Sequence, residues 1–311
     1  MSAARVARRW SRQHAGTEVY SGEVYWLAVP EVQQRFMAKA TSGHANHWAT
    51  YCVTEFLGDR VPVDRMLSIG CGTGALERHL ASLGAFRACD AFDIAPTAVA
   101  LAREAAEGAG LTGIRYEVGD VQGASLPGRA YDAVWFNDSL HHVRDLEGVC
   151  EAVARSLRPS GFLFFCEYVG PSRFAFTPRQ KELLDAAFRL IPHRYRRSLA
   201  AGGAGRIKPS VTIPRPTLVA LADPSEAVRS AEILPVVSRY FEIVRRNDAG
   251  GSLLQYLLHE IAGHFRPEDP KALAVLRLLF AVEDTLLEVG DLQSDFALVV
   301  ARPRPAVPSR R

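Results

Sequence analysis

Lysine is scarce in this chain. Only 4 of its 37 basic residues are lysine, and the net charge is +3 over 311 residues. No long basic tract argues for nucleic acid. The nearest approaches, "RRW" at 8–10 and "HRYRR" at 193–197, read as solvated faces. Dominance of arginine and alanine suggests a high-GC bacterial gene. No apolar run reaches the length of a membrane span, about 18 residues. The opening "MSAARVARRWSRQ" leads into no apolar signal core, so a cytoplasmic location is expected. Cysteine is sparse too: five residues, at 52, 71, 89, 150 and 166, with no C-x-x-C spacing. An odd number without that spacing predicts neither a disulfide framework nor a zinc site. Cys89 and Cys166 sit in strand-like apolar runs, as buried thiols do.

What the chain has is alternation, in an ordinary globular composition that is 48% hydrophobic and 23% charged. From Met66 onward short apolar runs alternate with amphipathic ones: "RMLSIG", "GALERHLASLG", "FRACDAFDI", "PTAVALAREAAEGAG", "IRYEVGD", "YDAVWFNDS", "DLEGVCEAVARSLRPSG", "FLFFCEYV". That order predicts an α/β fold with a mostly parallel sheet covered by helices on both faces. The expected division is a helical cap over 1–60, a cofactor-binding half over 61–170 and a substrate-side insertion or lid over 171–227. The remainder of the sheet follows over 228–301, with a helical excursion at 252–289, and then a flexible tail over 302–311. Both "SLLQYLLHEIAGHF" and "PKALAVLRLLFAVEDTLLEVG" read as helices.

Gly70, Gly72 and Gly74 form G-x-G-x-G after the first strand, where such sheets hold ligands. With Ala75 the same residues also satisfy the dinucleotide pattern G-x-G-x-x-G/A. Asp93 ends the second strand, where a carboxylate accepts ribose hydroxyls in either scheme. Three features tilt the balance from a dinucleotide to S-adenosylmethionine. Asp120 follows the third strand, suiting an adenine amino group. "FNDSLHH" places polar side chains after the fourth. Glu77, in the first turns of the following helix, is poorly placed for phosphate charge, unless it faces solvent.

Taken together, "LSIGCGTG", "FDIAPTAVALARE", "YEVGDV", "YDAVWFNDSLHHVRDLE" and "LRPSGFLFFCEY", with the later "FEIVRR" and "DFALVVARP", resemble a class I S-adenosylmethionine-dependent methyltransferase of the small-molecule type. The resemblance covers residues 64–170 closely and 228–301 in outline. It implies a Rossmann-like, seven-stranded sheet whose last strand runs antiparallel. It implies S-adenosyl-L-methionine as cofactor, with Gly70, Cys71, Gly72 and Gly74 against the methionyl part. Asp93, beside Ile94, would hold the ribose, and Asp120 with Val121 the adenine. Asn137 and Asp138 would lie near the transferred methyl.

For catalysis His141, His142 and Glu167 are the candidates. Methyl transfer to a hydroxyl or ammonium also needs a proton removed. His142 is preferred of the two histidines, either of which also serves to cap a turn or pack under the cofactor. Glu167 ends an apolar strand and so requires a ligand or a partner, Arg173 being the structural alternative. In the cap, Trp48 is expected in the core, and "TSGHANHW" is a candidate to close over the cofactor. "HEIAGH" is set aside as a metal motif: His259 and His264 stand five apart, about 140° around a helix. Either remains a candidate to line the acceptor pocket. The expected acceptor is a small molecule, first a hydroxyl of a metabolite or sugar, with N- or C-methylation as alternatives. An NAD-dependent oxidoreductase and a non-catalytic protein with a vestigial fold are the rival classes. Homodimerisation stays open, and neither nucleic acid nor membrane is an expected partner.

Overall fold

The computed structural model describes residues 3–14 and 23–304. Seven strands form one sheet in the order β3-β2-β1-β4-β5-β7-β6. They are β1 (Val63–Ile69), β2 (Phe86–Asp93), β3 (Ile114–Val118), β4 (Tyr131–Asn137), β5 (Leu157–Tyr168), β6 (Phe241–Gly250) and β7 (Phe296–Pro303). The first five are parallel, and β7 pairs antiparallel with both β5 and β6. Side chains alternate across the sheet, as strand geometry requires. Met66, Trp135, Phe164 and Val300 join one core, while Leu67, Phe136, Phe165 and Val299 join the other.

Helices cover both faces. Leu76 and Leu80 of α4 (Ala75–Ser82) and Val99 and Ala102 of α5 (Pro96–Gly108) pack into the first core. Leu146 and Val149 of α6 (Leu146–Ser156) and Val236 and Val237 of α9 (Ile233–Tyr240) pack into the second. The N-terminal part supplies α1 (Ala3–His14), α2 (Pro30–Ala40) and α3 (Trp48–Cys52). Arg35 of α2 grips Glu283 and Asp284 at 2.7 and 2.6 Å, tying the cap to α11 (Pro270–Glu288). Residues 171–227 carry α7 (Pro178–Arg189) and α8 (Pro216–Ala222). Trp48 is buried against Trp135. All five cysteines are free thiols, Cys89 and Cys166 among the buried ones. No helix among the described residues is long and apolar enough to cross a membrane.

Three segments differ from expectation. "SLLQYLLHEIAGHF" is not one helix: α10 (Leu254–Leu257) stops after four residues, and Glu260 takes a left-handed φ of 67°. The insertion captures the carbonyls that a longer helix would have used: His259 O accepts from Lys208 Nζ, and Glu260 O from Leu199 N. The amphipathic run "DLEGVCEAVARSLRPSG" is helical only in part: α6 ends at Ser156, and Pro159–Gly161 lie inside β5. Of the expected tail, Arg302 and Pro303 still belong to β7, and residues 305–311 lie outside the described residues.

Candidate active site

The chain runs from β1 outward to β2 and β3, then returns to the other side of β1 as β4. A crevice forms at the carboxyl ends of strands where the order reverses in this way. Here it is a cavity of about 550 Å³, within the usual range for small-ligand sites. Gly70 forms its floor at φ 72°, and a Cβ there would collide with Ser139 beyond β4. The Ser139 hydroxyl donates to Ile69 O at 2.8 Å and so closes the seam between the two strand ends.

Of the residues singled out for cofactor binding, Gly70, Cys71, Gly72, Asp93, Ile94, Asp120, Val121, Asn137 and Asp138 all line this cavity. Gly74 does not. It begins α4 at φ 78°, and a Cβ there would sit 2.5 Å from the Tyr116 hydroxyl, so its bareness serves helix packing. Asp93 Oδ2 accepts from Gly72 N at 2.9 Å and Oδ1 from Ala95 N at 2.8 Å. Each oxygen keeps a lone pair for a ligand hydroxyl. Asp120 Oδ1 accepts from Gln122 N, and Gln122 Oε1 accepts from Arg144 N and Asp145 N. The loops after β3 and β4 are thereby joined along one side of the crevice.

The catalytic candidates divide. His142 lines the cavity, whereas Glu167 and His141 lie beneath it. Glu167 Oε1 accepts from Ser139 N at 2.6 Å and Leu140 N at 2.8 Å, and Oε2 meets His141 Nδ1 at 2.7 Å. Its partner is thus the turn after β4, not Arg173. Arg173 instead holds the carbonyls of Asp223, Pro224 and Glu226. That clamp presses residues 224–228 against the cavity, where Val228 N donates to His141 O.

Burial alone would lower the His141 pKa. The hydrogen bond and charge of Glu167, with Glu226 and Asp138 nearby, outweigh it and raise the imidazole to about 9. His142 goes the other way. Burial and the His141 charge hold it well below its ordinary value, and it stays neutral. Its Nδ1 has no hydrogen-bond partner among the described residues, and its ring meets the edge of Trp10 at 4.7 Å.

Asp138 combines two departures. It is a non-glycine residue at φ 48°, and it is exposed at the cavity wall. Desolvation by the protein around the cavity, and then repulsion from Glu167 and Glu226, push its pKa above the usual carboxylate range. Backbone strain and a displaced pKa together mark functional positions. Ligand atoms of His141, His142 and Glu226 lie within 4.8 Å of one another.

Several lining residues were not assigned from the sequence. Val6 and Trp10, one helical turn apart on α1, roof the cavity. Glu77 lines it as well and is wholly buried, not solvent-facing. Pro224, Ser225 and Val228 line the cavity too. The "TSGHANHW" segment lies elsewhere, with the His47 ring 4.0 Å from His79 of α4. His259 and His264 do not line the cavity either, and His264 Nε2 contacts Arg197 O at 2.7 Å.

A methyltransferase-domain family model matches residues 67–165. Over 100 residues the chain is 37% identical to a ubiquinone biosynthesis O-methyltransferase of Methylocella silvestris, 32% of this chain and 38% of that protein. The chain therefore spans well under half the length of that curated relative. In fold it is similar to the geranyl diphosphate C-methyltransferase of Streptomyces coelicolor, with a TM-score of 0.55, 14% identity and 97% of each chain covered. It is also similar to the [4+2]-cyclase SpnF, with a TM-score of 0.50, 18% identity and 97% of each chain covered. A fold shared by methyltransferases and a cyclase does not by itself fix a reaction. Residues 67–165 thus match a methyltransferase domain by family model and by relative, and the strand order around them is that of the class I S-adenosylmethionine-dependent methyltransferase fold.

Proposed function

We propose that this protein transfers a methyl group from S-adenosylmethionine to a small-molecule acceptor, first of all to a hydroxyl. The carrying observation is one continuous cavity, with a glycine turn and Asp93 at one end and Asp138 with His142 at the other. The cavity suits the cofactor on three counts. Gly70 and Gly72 let the chain approach a ligand closely. Asp93 has free acceptor capacity for the two ribose hydroxyls. Ile94 and Val121 supply apolar walls for an adenine, with Asp120 at its edge.

When bound, the cofactor supplies an electrophilic methyl on a sulfonium, so the protein's share is alignment and proton removal. Asp138 is the group for the second task. Its raised pKa puts its proton affinity near working pH, where general-base catalysis is most effective. His142 stands beside it as a neutral wall held by Trp10. Glu167 acts on neither acceptor nor cofactor: it fixes the turn that aims Asp138 and His142. His141, held by Glu167, shares that structural role.

The acceptor class rests on the relatives' names together with the proton acceptor in the cavity. Methylation at carbon is the second reading, favoured by the geranyl diphosphate enzyme's similarity across the whole fold. Calorimetric titration with S-adenosylhomocysteine and with NAD is the first test. Micromolar binding of the former alone is expected, and binding of NAD alone would end the proposal. Screening metabolite extracts with methyl-labelled cofactor then identifies the acceptor.

A further inference from the structure

We propose that Glu77 is the counter-charge for the ammonium group of the cofactor's amino-acid end, and that it thereby selects against dinucleotides. The inference rests on the cofactor reading above. Glu77 stands in the first turn of α4 and is completely buried, yet it lines the cavity with Gly70, Gly72 and Thr73. Its Oε1 accepts the hydroxyl of Ser68, two residues before the glycine turn. Its Oε2 is buried and has no hydrogen-bond partner among the described residues. Such an oxygen is costly unless something completes it.

Among the described residues no side chain does so. The adjacent guanidinium, Arg78, donates to Thr73 O at 2.6 Å. Asp93, across the turn, adds negative charge, and burial with this repulsion lifts Glu77 to about 7. What is missing is a cation that donates hydrogen bonds. The ribose is assigned to Asp93, so the amino-acid end of the cofactor falls beside the glycine turn, bringing one ammonium. A dinucleotide brings a pyrophosphate to the same turn, where a buried carboxylate repels it.

The test compares ligands that differ only at this end. Calorimetry at pH 8 would measure wild type and Glu77→Gln against S-adenosylhomocysteine and against 5′-methylthioadenosine, which keeps the nucleoside thioether and lacks the amino-acid group. Glu77→Gln should weaken S-adenosylhomocysteine at least tenfold and methylthioadenosine less than threefold. Equal losses on both ligands, or none on the first, would overturn the assignment. Should the variant not fold, wild type still decides. A deaminated S-adenosylhomocysteine should bind it at least tenfold more weakly than the parent, and equal affinity would refute the role. Wild type binding neither thioether would instead overturn the cofactor reading itself, taking this inference with it.

Discussion

The two ends of the cavity are built by different means. At the β1–β3 end the ligand surface is backbone and short carboxylates, each held by backbone amides of the strand-end turns: Asp93 on Ala95 N and, from the turn after β1, Gly72 N, and Asp120 on Gln122 N. At the β4–β5 end Asp138 and His142 line the cavity over a packed set of titratable groups, His141, Glu167 and Glu226, drawn from three separate segments. The first arrangement is local and tolerant of change elsewhere. The second is cooperative, since the pKa values of Asp138, His141 and His142 depend on their neighbours. On the proposed function, binding is housed apart from proton chemistry.

Substitutions can break that contrast. The largest effect is expected for Asp138→Asn, which should lower kcat roughly 10²–10⁴-fold, the usual loss for a general base. S-adenosylhomocysteine affinity should stay within about threefold. Steady-state kinetics with the acceptor found by screening, alongside calorimetry, would check both. An unchanged kcat would make the proton acceptor unnecessary. Next comes Glu167→Ala. It strips two backbone donors and His141 of a buried partner, and removing one side of such a pair costs about 3–5 kcal/mol. Urea denaturation should show this loss, and native-like stability would contradict the structural role.

Asp93→Ala sharpens the other side. Its ribose bonds are charge-assisted, worth about 1.5–3 kcal/mol each, so affinity for S-adenosylhomocysteine should fall at least tenfold in a folded variant. Calorimetry on that variant with unchanged affinity would remove Asp93 from the site. The smallest effect is on stability against pH. His141 is raised from 6.5 to about 9, so its stabilisation is complete below 6.5 and lost as pH climbs through 9. Asp295, raised from 3.8 to about 7 mainly by burial, holds its proton in the fold longer than in the unfolded chain. It too makes stability fall as pH rises, between those two values. Melting curves at pH 6, 7.5 and 9 should therefore step downward. His141→Asn should flatten the step between 7.5 and 9, and a melting temperature rising towards pH 9 would contradict the assignment.

The same contrast explains what could be read before folding. Alternating apolar runs give the sheet its strands, and the antiparallel last strand followed from the family resemblance. Gly70, Asp93, Asp120 and Asp138 were recognisable because each follows a strand end, and strand ends are local features. Glu167 is the penultimate residue of β5, but a sequence does not show which way the side chain points, and it turns inward to the loop after β4. For Glu77 the sequence left solvent and cavity both open, since one residue of helical rotation separates the two. Trp10 and residues 224–228 reach the site only through long-range packing, to which no local spacing corresponds. The break after Leu257 had no local sign either, because its cause is a lysine 51 residues away.

The Trp10 contact also gives the site an optical signal of its own. The chain has four tryptophans, and Trp26, Trp48 and Trp135 are sealed in the core. Trp10 alone lies on the cavity wall, edge-on to His142. Any change in intrinsic fluorescence on adding a ligand should therefore arise at this indole and vanish in Trp10→Phe. Occupancy could then be followed in real time without labelling the protein, and the arrival of an acceptor beside His142 could be timed separately from that of the nucleoside.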